Sequence, residues 1–393
     1  MIRGKTILII IQHLFGGGAE RVAADVGEKL RAENHVIVVT FDDSHGAAYD
    51  YNGEMICVNC ISKRKIFKPF MIIKRARIIK KIKKENNIDY SISFLQNANV
   101  ANVLSKHKEK TIVSIRSNIG VTKWMNKAIE RYTCLKADRV VALSKGVRDN
   151  LIKEFGIRDG KIKAIYNMCH VQRLFNQSAD IALSNDIVEK TKGKHCIVSC
   201  GSLRYPKGQW HLLRVFKMVH DLIPKSTLII FGEGDYRSNL MKQAKELGID
   251  EAVIMPGFVK GYQSIMRDVG KIFCFTSIHE GFGNVLLEAM ACGNAVVSAD
   301  CPYGPGEILG GACDSRDKYS VGKFGILTPP FPLDAADFSL NTTAEERVMA
   351  DALLFLINNE SKRKEIIDNG YKRLHDFSPE TIMDEWSKTL ADL

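Results

Sequence analysis

Two glutamates, Glu280 and Glu288, stand eight residues apart around the turn Gly281-Phe282-Gly283-Asn284. Phe273 to Thr276 reads as a buried strand before that turn, and Asn284 to Ala291 as a helix packed on several sides. A strand, a Gly-x-Gly turn and a helix N-terminus make an anion site, because backbone N–H groups and the helix dipole converge there. A carboxylate beside an anion site makes chemical sense where it meets hydroxyls, which points to a sugar nucleotide. The blander alternative for Glu288 is a helix residue favoured by the dipole, by about 0.3–1 kcal/mol. Its run is Val-Leu-Leu-Glu-Ala-Met-Ala, where a buried charge without a partner is expensive, so a ligand contact is expected.

Two other glycine turns carry related chemistry. Gly16, Gly17 and Gly18 follow the first apolar segment and precede Ala19-Glu20-Arg21. Three glycines there let the backbone approach a ligand at a helix N-terminus, and a tight turn with no ligand is the alternative. The spacing is not Gly-x-Gly-x-x-Gly, and no P-loop Lys-Ser/Thr follows, which weighs against dinucleotide and P-loop sites. The stretch Gly201-Ser202-Leu203-Arg204-Tyr205-Pro206-Lys207-Gly208 offers two cations to a diphosphate. Arg204 would act through its planar fork and Lys207 as a point charge.

These turns need elements to hold them. Thr6–Ile11, His35–Phe41, Asp89–Phe94, Thr111–Ile115, Asp138–Leu143 and Lys161–Tyr166 read as strands, with helical patterns such as Ala19–Glu33 and Lys145–Phe155 between most of them. A second series follows: strands His195–Cys200, Thr227–Phe231, Ala252–Met255, Lys271–Thr276 and Ala295–Ser298, and helices Gln209–Leu222 and Arg237–Leu247. This beat predicts an α/β chain of two Rossmann-like domains with parallel sheets. Expected bounds are 1–178, a polar connection over 179–194, 195–375, and a C-terminal helix over 376–393 that returns to the first domain. Such halves, facing one another, would place ligands in a cleft at the carboxyl ends of both sheets.

The 393 residues are 45% hydrophobic and 26% charged, a globular balance. Thr6 to Ile11 is too short for a signal-peptide core or a membrane span, and no stretch approaches the length of a transmembrane helix. The ten cysteines scatter through strands and helices, and Cys57-x-x-Cys60 has no second pair, so reduced thiols in a cytoplasmic protein are expected. The net charge of +11 is matched by eleven Lys and Arg between Lys63 and Lys84, a span with no acid. Charge so localised argues for a local basic surface and against general binding to nucleic acid. Ile72, Ala76, Ile79 and Ile82 fall on one helical face there, and Lys74, Arg77, Lys81 and Lys84 on another. A solvated face is one reading. The other is contact with an anionic lipid surface through Lys63, Arg64, Lys65, Lys68, Lys74, Arg77 and Lys81, with Lys63–Phe70 closest to lipid.

Taken together, the chain resembles a retaining glycosyltransferase of family 4, with the GT-B fold, over essentially its whole length. The resemblance rests on the first glycine loop with Ala19-Glu20-Arg21, Val141-Ala142-Leu143-Ser144-Lys145, Ile165-Tyr166-Asn167, the Gly201–Gly208 turn, Phe231-Gly232-Glu233-Gly234, Pro256-Gly257-Phe258 and above all the Glu280–Glu288 segment. Gly304-Pro305-Gly306-Glu307-Ile308-Leu309 is similar to members that build bacterial capsule, O-antigen and other surface glycans.

That resemblance implies that Glu280 contacts the donor sugar's hydroxyls and Glu288 the ribose. The backbone around Gly281, Phe282 and Gly283, with Lys207, would hold the diphosphate, Phe258 and its neighbours would border the base, and Gly234 and Asn284 would also belong to the donor site. It implies no metal and no cofactor; the nucleotide sugar is a substrate, a UDP-sugar in preference to a GDP-sugar. Two positions depart from the pattern. Ser202 stands where many members carry Arg, so Arg204 or another cation would complete the phosphate clamp. Arg116, in Ser114-Ile115-Arg116-Ser117-Asn118, stands where many members have His, and would face a phosphate of donor or acceptor. The implied reaction is same-face transfer to a lipid-linked glycan acceptor, by an enzyme peripheral to the inner face of the cytoplasmic membrane. A sugar-nucleotide epimerase and a non-catalytic membrane-binding protein on the same fold are the alternatives.

Overall fold

The apolar runs of the sequence become two seven-stranded sheets, each the centre of its own unit: Met1–Met168 with Pro379–Leu393, and Cys169–Ser378. The computed structural model describes the chain outside residues 1, 16, 45, 47–50, 61–67, 117–123 and 177–180, with backbone alone at 68, 69, 181 and 182.

In the first unit the strands are β1 (Thr6–Ile11), β2 (His35–Thr40), β3 (Glu54–Cys57), β4 (Tyr90–Phe94), β5 (Lys110–Ile115), β6 (Arg139–Ala142) and β7 (Ile162–Ala164). They lie in the order β3-β2-β1-β4-β5-β6-β7, every neighbouring pair parallel. β1 is apolar at five consecutive positions, Ile7 to Ile11, all fully buried. A parallel sheet covered on both faces demands such a run instead of alternation. The covering helices are α1 (Gly18–Arg31), α2 (Lys68–Glu85), α3 (Gln96–Leu104), α4 (Trp124–Lys136) and α5 (Lys145–Phe155). Ser144 caps α5 by accepting from Val147 N at 3.2 Å, and Gly156 ends it in the left-handed region.

The second unit contains β8 (His195–Cys200), β9 (Ser226–Phe231), β10 (Val253–Gly257), β11 (Ile272–Phe275), β12 (Ala295–Ala299), β13 (Ser320–Val321) and β14 (Ile326–Thr328). Their order is β10-β9-β8-β11-β12-β14-β13, antiparallel only between β13 and β14. Its helices are α6 (Val171–Phe175), α7 (Ile181–Thr191), α8 (Gln209–Leu222), α9 (Arg237–Glu246), α10 (Tyr262–Val269), α11 (Asn284–Ala291), α12 (Pro305–Leu309), α13 (Ala344–Asn358) and α14 (Glu360–Arg373). The last helix, α15 (Pro379–Ala391), belongs to the first unit. Ile382, Met383, Trp386 and Leu390 enter a core with Ile9, Val38 and Phe94.

Three expectations change. The polar stretch expected to be a connection over 179–194 contains the helix α7, which packs against α10 within the second unit, and the first unit's continuous part ends at Met168. β3, β13 and β14 lie in segments with no expected strand. The basic stretch is also less of a surface than its composition suggested. Lys83 is fully buried in a bond to Glu109 Oε1 at 2.6 Å and to Asn102, while Arg75 donates to the Cys60 carbonyl and lies over the Phe41 ring. Burial pushes the Lys83 ammonium down to about 8 despite the opposing charge of Glu109. Lys74, Arg77, Lys81 and Lys84 do face solvent, as their helical spacing requires.

Candidate active site

At the carboxyl end of β11 the chain turns through Thr276-Ser277-Ile278-His279 to Glu280 and enters α11 after Gly283. Across from it, at the end of β8, the Gly201–Gly208 turn closes on a single 3₁₀ turn, Tyr205–Lys207. The two are tied by backbone: Ile278 N donates to Pro206 O at 2.9 Å, and Thr276 Oγ1 donates to Lys207 O at 3.0 Å. Gly208 makes this approach possible. Its φ is +59, and a Cβ there would lie against the Thr276 carbonyl oxygen.

The tie sets Lys207 beside Glu280. Lys207 Nζ donates to Glu280 Oε1, and Ser277 Oγ donates to the same oxygen at 2.8 Å. The ammonium also stands 5.6 Å from the centre of the Phe275 ring. Both contacts fall on one carboxylate oxygen, which leaves Oε2 to other donors. His279 is half-buried next to the pair, and burial lowers its imidazole pKa, so it is neutral at pH 7. Phe282 turns its ring inward, 2% exposed and edge-on to Phe377, so only its backbone is available at the turn. Gly304 (φ +112) packs on the Phe282 carbonyl, where any side chain would collide. This explains the glycine that opens the Gly304–Leu309 motif.

Glu288, about one turn into α11, is half-buried and has partners inside the protein. Tyr262 Oη donates to its Oε2, and Gln263 Nε2 does so at 3.0 Å. The expectation of an unpartnered carboxylate in an apolar run is therefore corrected, because α10 supplies two neutral donors. Burial, then Cys200 and Glu288, push the Tyr262 phenol well above its ordinary range, so it remains a donor. Tyr262 also lines a cavity of about 280 Å³ with Cys200, Gly201, Ser202, Phe231, Gly232, Glu233, Phe258 and Val259. Phe258 is 80% exposed at its edge.

The other expected residues have the following surroundings. Arg204 pairs with Asp235, Nε to Oδ2 3.7 Å, and its side chain is 63% exposed. Gly234 meets the backbone of Leu203, so it serves the turn and does not line the cavity. In the first unit, Gly17 and Gly18 lead into α1, where Gly17 leaves no room for a Cβ beside the Glu20 carboxylate; Gly16 lies outside the described residues. Arg116, also in the first unit, is buried beyond β5. Its Nε donates to Ser114 Oγ at 2.7 Å and its Nη1 to Asn167 Oδ1 at 2.9 Å, and burial pushes the guanidinium down to about 9. Lys63, Arg64 and Lys65 lie outside the described residues, as does the Lys68 side chain. Ser277, Tyr262 and Gln263 were not anticipated. Ser277, three residues before Glu280, is within reach of a sequence argument, whereas Tyr262 and Gln263 reach Glu288 only through the α10–α11 packing.

Two Rossmann-like units, each built on a seven-stranded sheet, the second carrying a glycine turn and helix N-terminus at its strand ends, define the GT-B class of fold. Residues 16–173 match the Glycosyltransferase Family 4 and residues 181–312 the Glycosyl transferases group 1. An uncharacterized glycosyltransferase of Methanocaldococcus jannaschii is 30% identical over 360 residues, 85% of this chain and 86% of that protein. An N-acetylgalactosamine-N,N'-diacetylbacillosaminyl-diphospho-undecaprenol 4-alpha-N-acetylgalactosaminyltransferase of Campylobacter jejuni is 28% identical, covering 77% of this chain and 82% of its own. The crystal structure of the Anabaena protein HepE with UDP superposes with a TM-score of 0.77 at 20% identity, covering 99% of this chain and all of that one. The chain belongs to the family 4 glycosyltransferases. Among the described residues no helix is long and apolar enough to cross a membrane.

Proposed function

We propose that this glycosyltransferase is retaining and metal-independent, and moves a sugar from a UDP-sugar to a lipid-linked glycan in the synthesis of a bacterial surface polysaccharide such as capsule or lipopolysaccharide. The observation that carries the reading is the pair Lys207–Glu280 at the entrance to the Gly281–Asn284 turn, with Glu288 anchored on the same helix. Glu280 Oε2 accepts from a hydroxyl of the transferred sugar, and Lys207 with the backbone opening α11 meets the diphosphate. Glu288 takes the ribose hydroxyls and Phe258 borders the base. As the bond from the anomeric carbon to phosphate oxygen breaks, positive charge grows on the sugar and negative charge on the leaving diphosphate. Fixed donors at that diphosphate lower the barrier, by about 3–4 kcal/mol each in comparable sites. The acceptor hydroxyl attacks from the face the phosphate leaves, and its proton passes to the departing phosphate oxygen. No glycosidase-type nucleophile is required.

The lipid-linked acceptor draws support from the Campylobacter relative's name. Association with the inner face of the cytoplasmic membrane draws support from α2 and α4, where exposed Lys74, Arg77 and Lys81 accompany Phe70 and Trp124, 63% and 78% exposed. A panel of UDP- and GDP-sugars, read by thermal stabilisation and product identity, tests the reaction. UDP released with a transferred sugar is the expected result; an isomerised sugar would mean an epimerase, and no stabilisation by any nucleotide would end the reading. Anionic vesicles should sediment the protein in a salt-sensitive way, at about 1 kcal/mol per cation near the surface. The triple variant Lys74→Glu, Arg77→Glu, Lys81→Glu should stay in the supernatant.

A further inference from the structure

Between β14 and α13 the chain runs from 329 to 343 without helix or strand. Connections of that length inside a compact unit are uncommon and often functional. The contacts of this one fall on both sides of Lys207 in the chain. Two residues before Lys207, Tyr205 Oη donates to the Asp334 carbonyl at 2.6 Å. After Lys207, α8 opens with Gln209, Trp210 and His211. The His211 ring stacks on Phe331, 4.1 Å between centres and 5° from parallel, while Phe338 packs on Trp210 and edge-on to Tyr236. Arg214 Nη1 then donates to the carbonyls of Asp337 and Ser339 at 2.7 and 2.9 Å.

Charge fixes the far end of the same segment. Glu346, fully buried in the first turn of α13, accepts from His211 Nδ1 at 2.5 Å, from Arg214 Nε and Nη2 at 2.9 and 2.6 Å, and from Thr343 N at 3.0 Å. Arg214 is fully buried too. Burial acts to raise the Glu346 carboxyl, but the bonds from His211 and Arg214 outweigh it and hold the group below its ordinary range. Such a cluster is weak evidence for stability, since apolar residues of similar volume serve as well. It does supply a fixed geometry, because guanidinium and carboxylate meet through a rigid fork. The His211 ring also borders the pivot of the site: a Cβ on Gly208 would lie 3.4 Å from its Cδ2. The cluster therefore fixes the start of α8 and Tyr205 fixes the turn before it, with Lys207 held between them.

We infer that 329–343 is a strap that positions Lys207 for the donor diphosphate, with Tyr205, His211 and Glu346 as positioning residues. The inference rests on the proposed contact between Lys207 and that diphosphate. Because these residues act through Lys207, their signature is a loss confined to the phosphate end of the nucleotide.

Titrations of the full chain with uridine and with UDP, followed by ligand-observed NMR, read that signature as a ratio of two affinities. Tyr205→Phe removes one hydroxyl from a half-buried side chain and leaves the core intact. It releases the turn by no more than the worth of its bond, so UDP should weaken by about two- to tenfold and uridine not at all. Glu346→Gln should move the ratio in the same direction, but it strips the buried Arg214 of its counter-charge and puts the fold at risk, so Tyr205→Phe decides. Lys207→Ala should lower the ratio by itself, and adding Tyr205→Phe to it should change nothing further. If Tyr205→Phe keeps the wild-type ratio, or lowers it equally with and without Lys207, the strap is structural only and the inference falls while the transferase reading stands. If Lys207→Ala keeps the wild-type ratio, the contact of Lys207 with the diphosphate falls and takes the strap with it. Failure of UDP to bind the wild type would overturn the proposed reaction and the inference together.

Discussion

The glycine-turn site of the second unit and a cavity of the first treat their carboxylates in opposite ways. In the second, Glu280 is met by Lys207 and Ser277, and Glu288 by Tyr262 and Gln263, before any ligand arrives. In the first, Glu130 and Arg116 share a cavity in which one oxygen and one nitrogen have no partner. A satisfied carboxylate is held in place, so a ligand meets a site already arranged and little reorganisation remains at the moment of reaction. An unsatisfied one costs stability. The glycine-turn site is built for positioning, whereas the cavity leaves polar groups unanswered.

Removing the centre of the arranged site should give the largest change. Lys207→Ala should lower kcat by roughly 10²–10³-fold, as loss of one transition-state donor does elsewhere; a steady-state assay with saturating donor measures it. Wild-type kcat in that variant would mean that the pairing with Glu280 is structural only. Glu288→Gln should act on binding, weakening UDP by roughly 10- to 150-fold, the worth of about 1.5–3 kcal/mol for hydrogen bonds to a charged group, with a smaller effect on kcat. Calorimetric titration with UDP decides it.

The smallest effect probes the unsatisfied side. Burial raises Glu130 to about 7, so between about 4.5 and about 7 the folded protein holds a proton that the unfolded chain has released. Stability then falls as pH rises through that window. Glu130→Gln should therefore raise the melting temperature at pH 8 by a few degrees, at about 2–4 °C per kcal/mol, with the gain vanishing near pH 4. An equal gain at both pH values would show that the effect is packing and leave the contrast between the units without its electrostatic half.

What the sequence reveals follows the same divide. Strands such as Thr6–Ile11 and His195–Cys200, and the helix Asn284–Ala291, were legible to the residue because buried parallel strands and packed helices need long apolar runs. β3 is half-exposed at a sheet edge and β14 has three residues, too short for any period to register. Helix α7 buries little beyond Ile187 and Thr191, so its pattern resembles a connector. Composition alone could not separate Lys83, sealed against Glu109, from the solvated Lys81 two residues earlier on α2. The Glu280 motif was readable because it is compact in sequence. Tyr262, Gln263 and the Glu130 cavity join elements far apart in the chain, and no spacing rule announces them.

Helix α15 has a consequence for how the molecule is made. Trp386, fully buried beside Phe94 and with its ring 6.0 Å from the Arg116 guanidinium, completes a core whose other residues lie within the first 168 residues, apart from those of α15 itself and Leu393. The ribosome must add Cys169–Ser378, 210 residues, before that helix appears. At roughly 5–20 residues per second, the groove over Ile9, Val38 and Phe94 waits about 10–40 s for its cover. Until α15 is made, the first unit lacks the helix that closes its core.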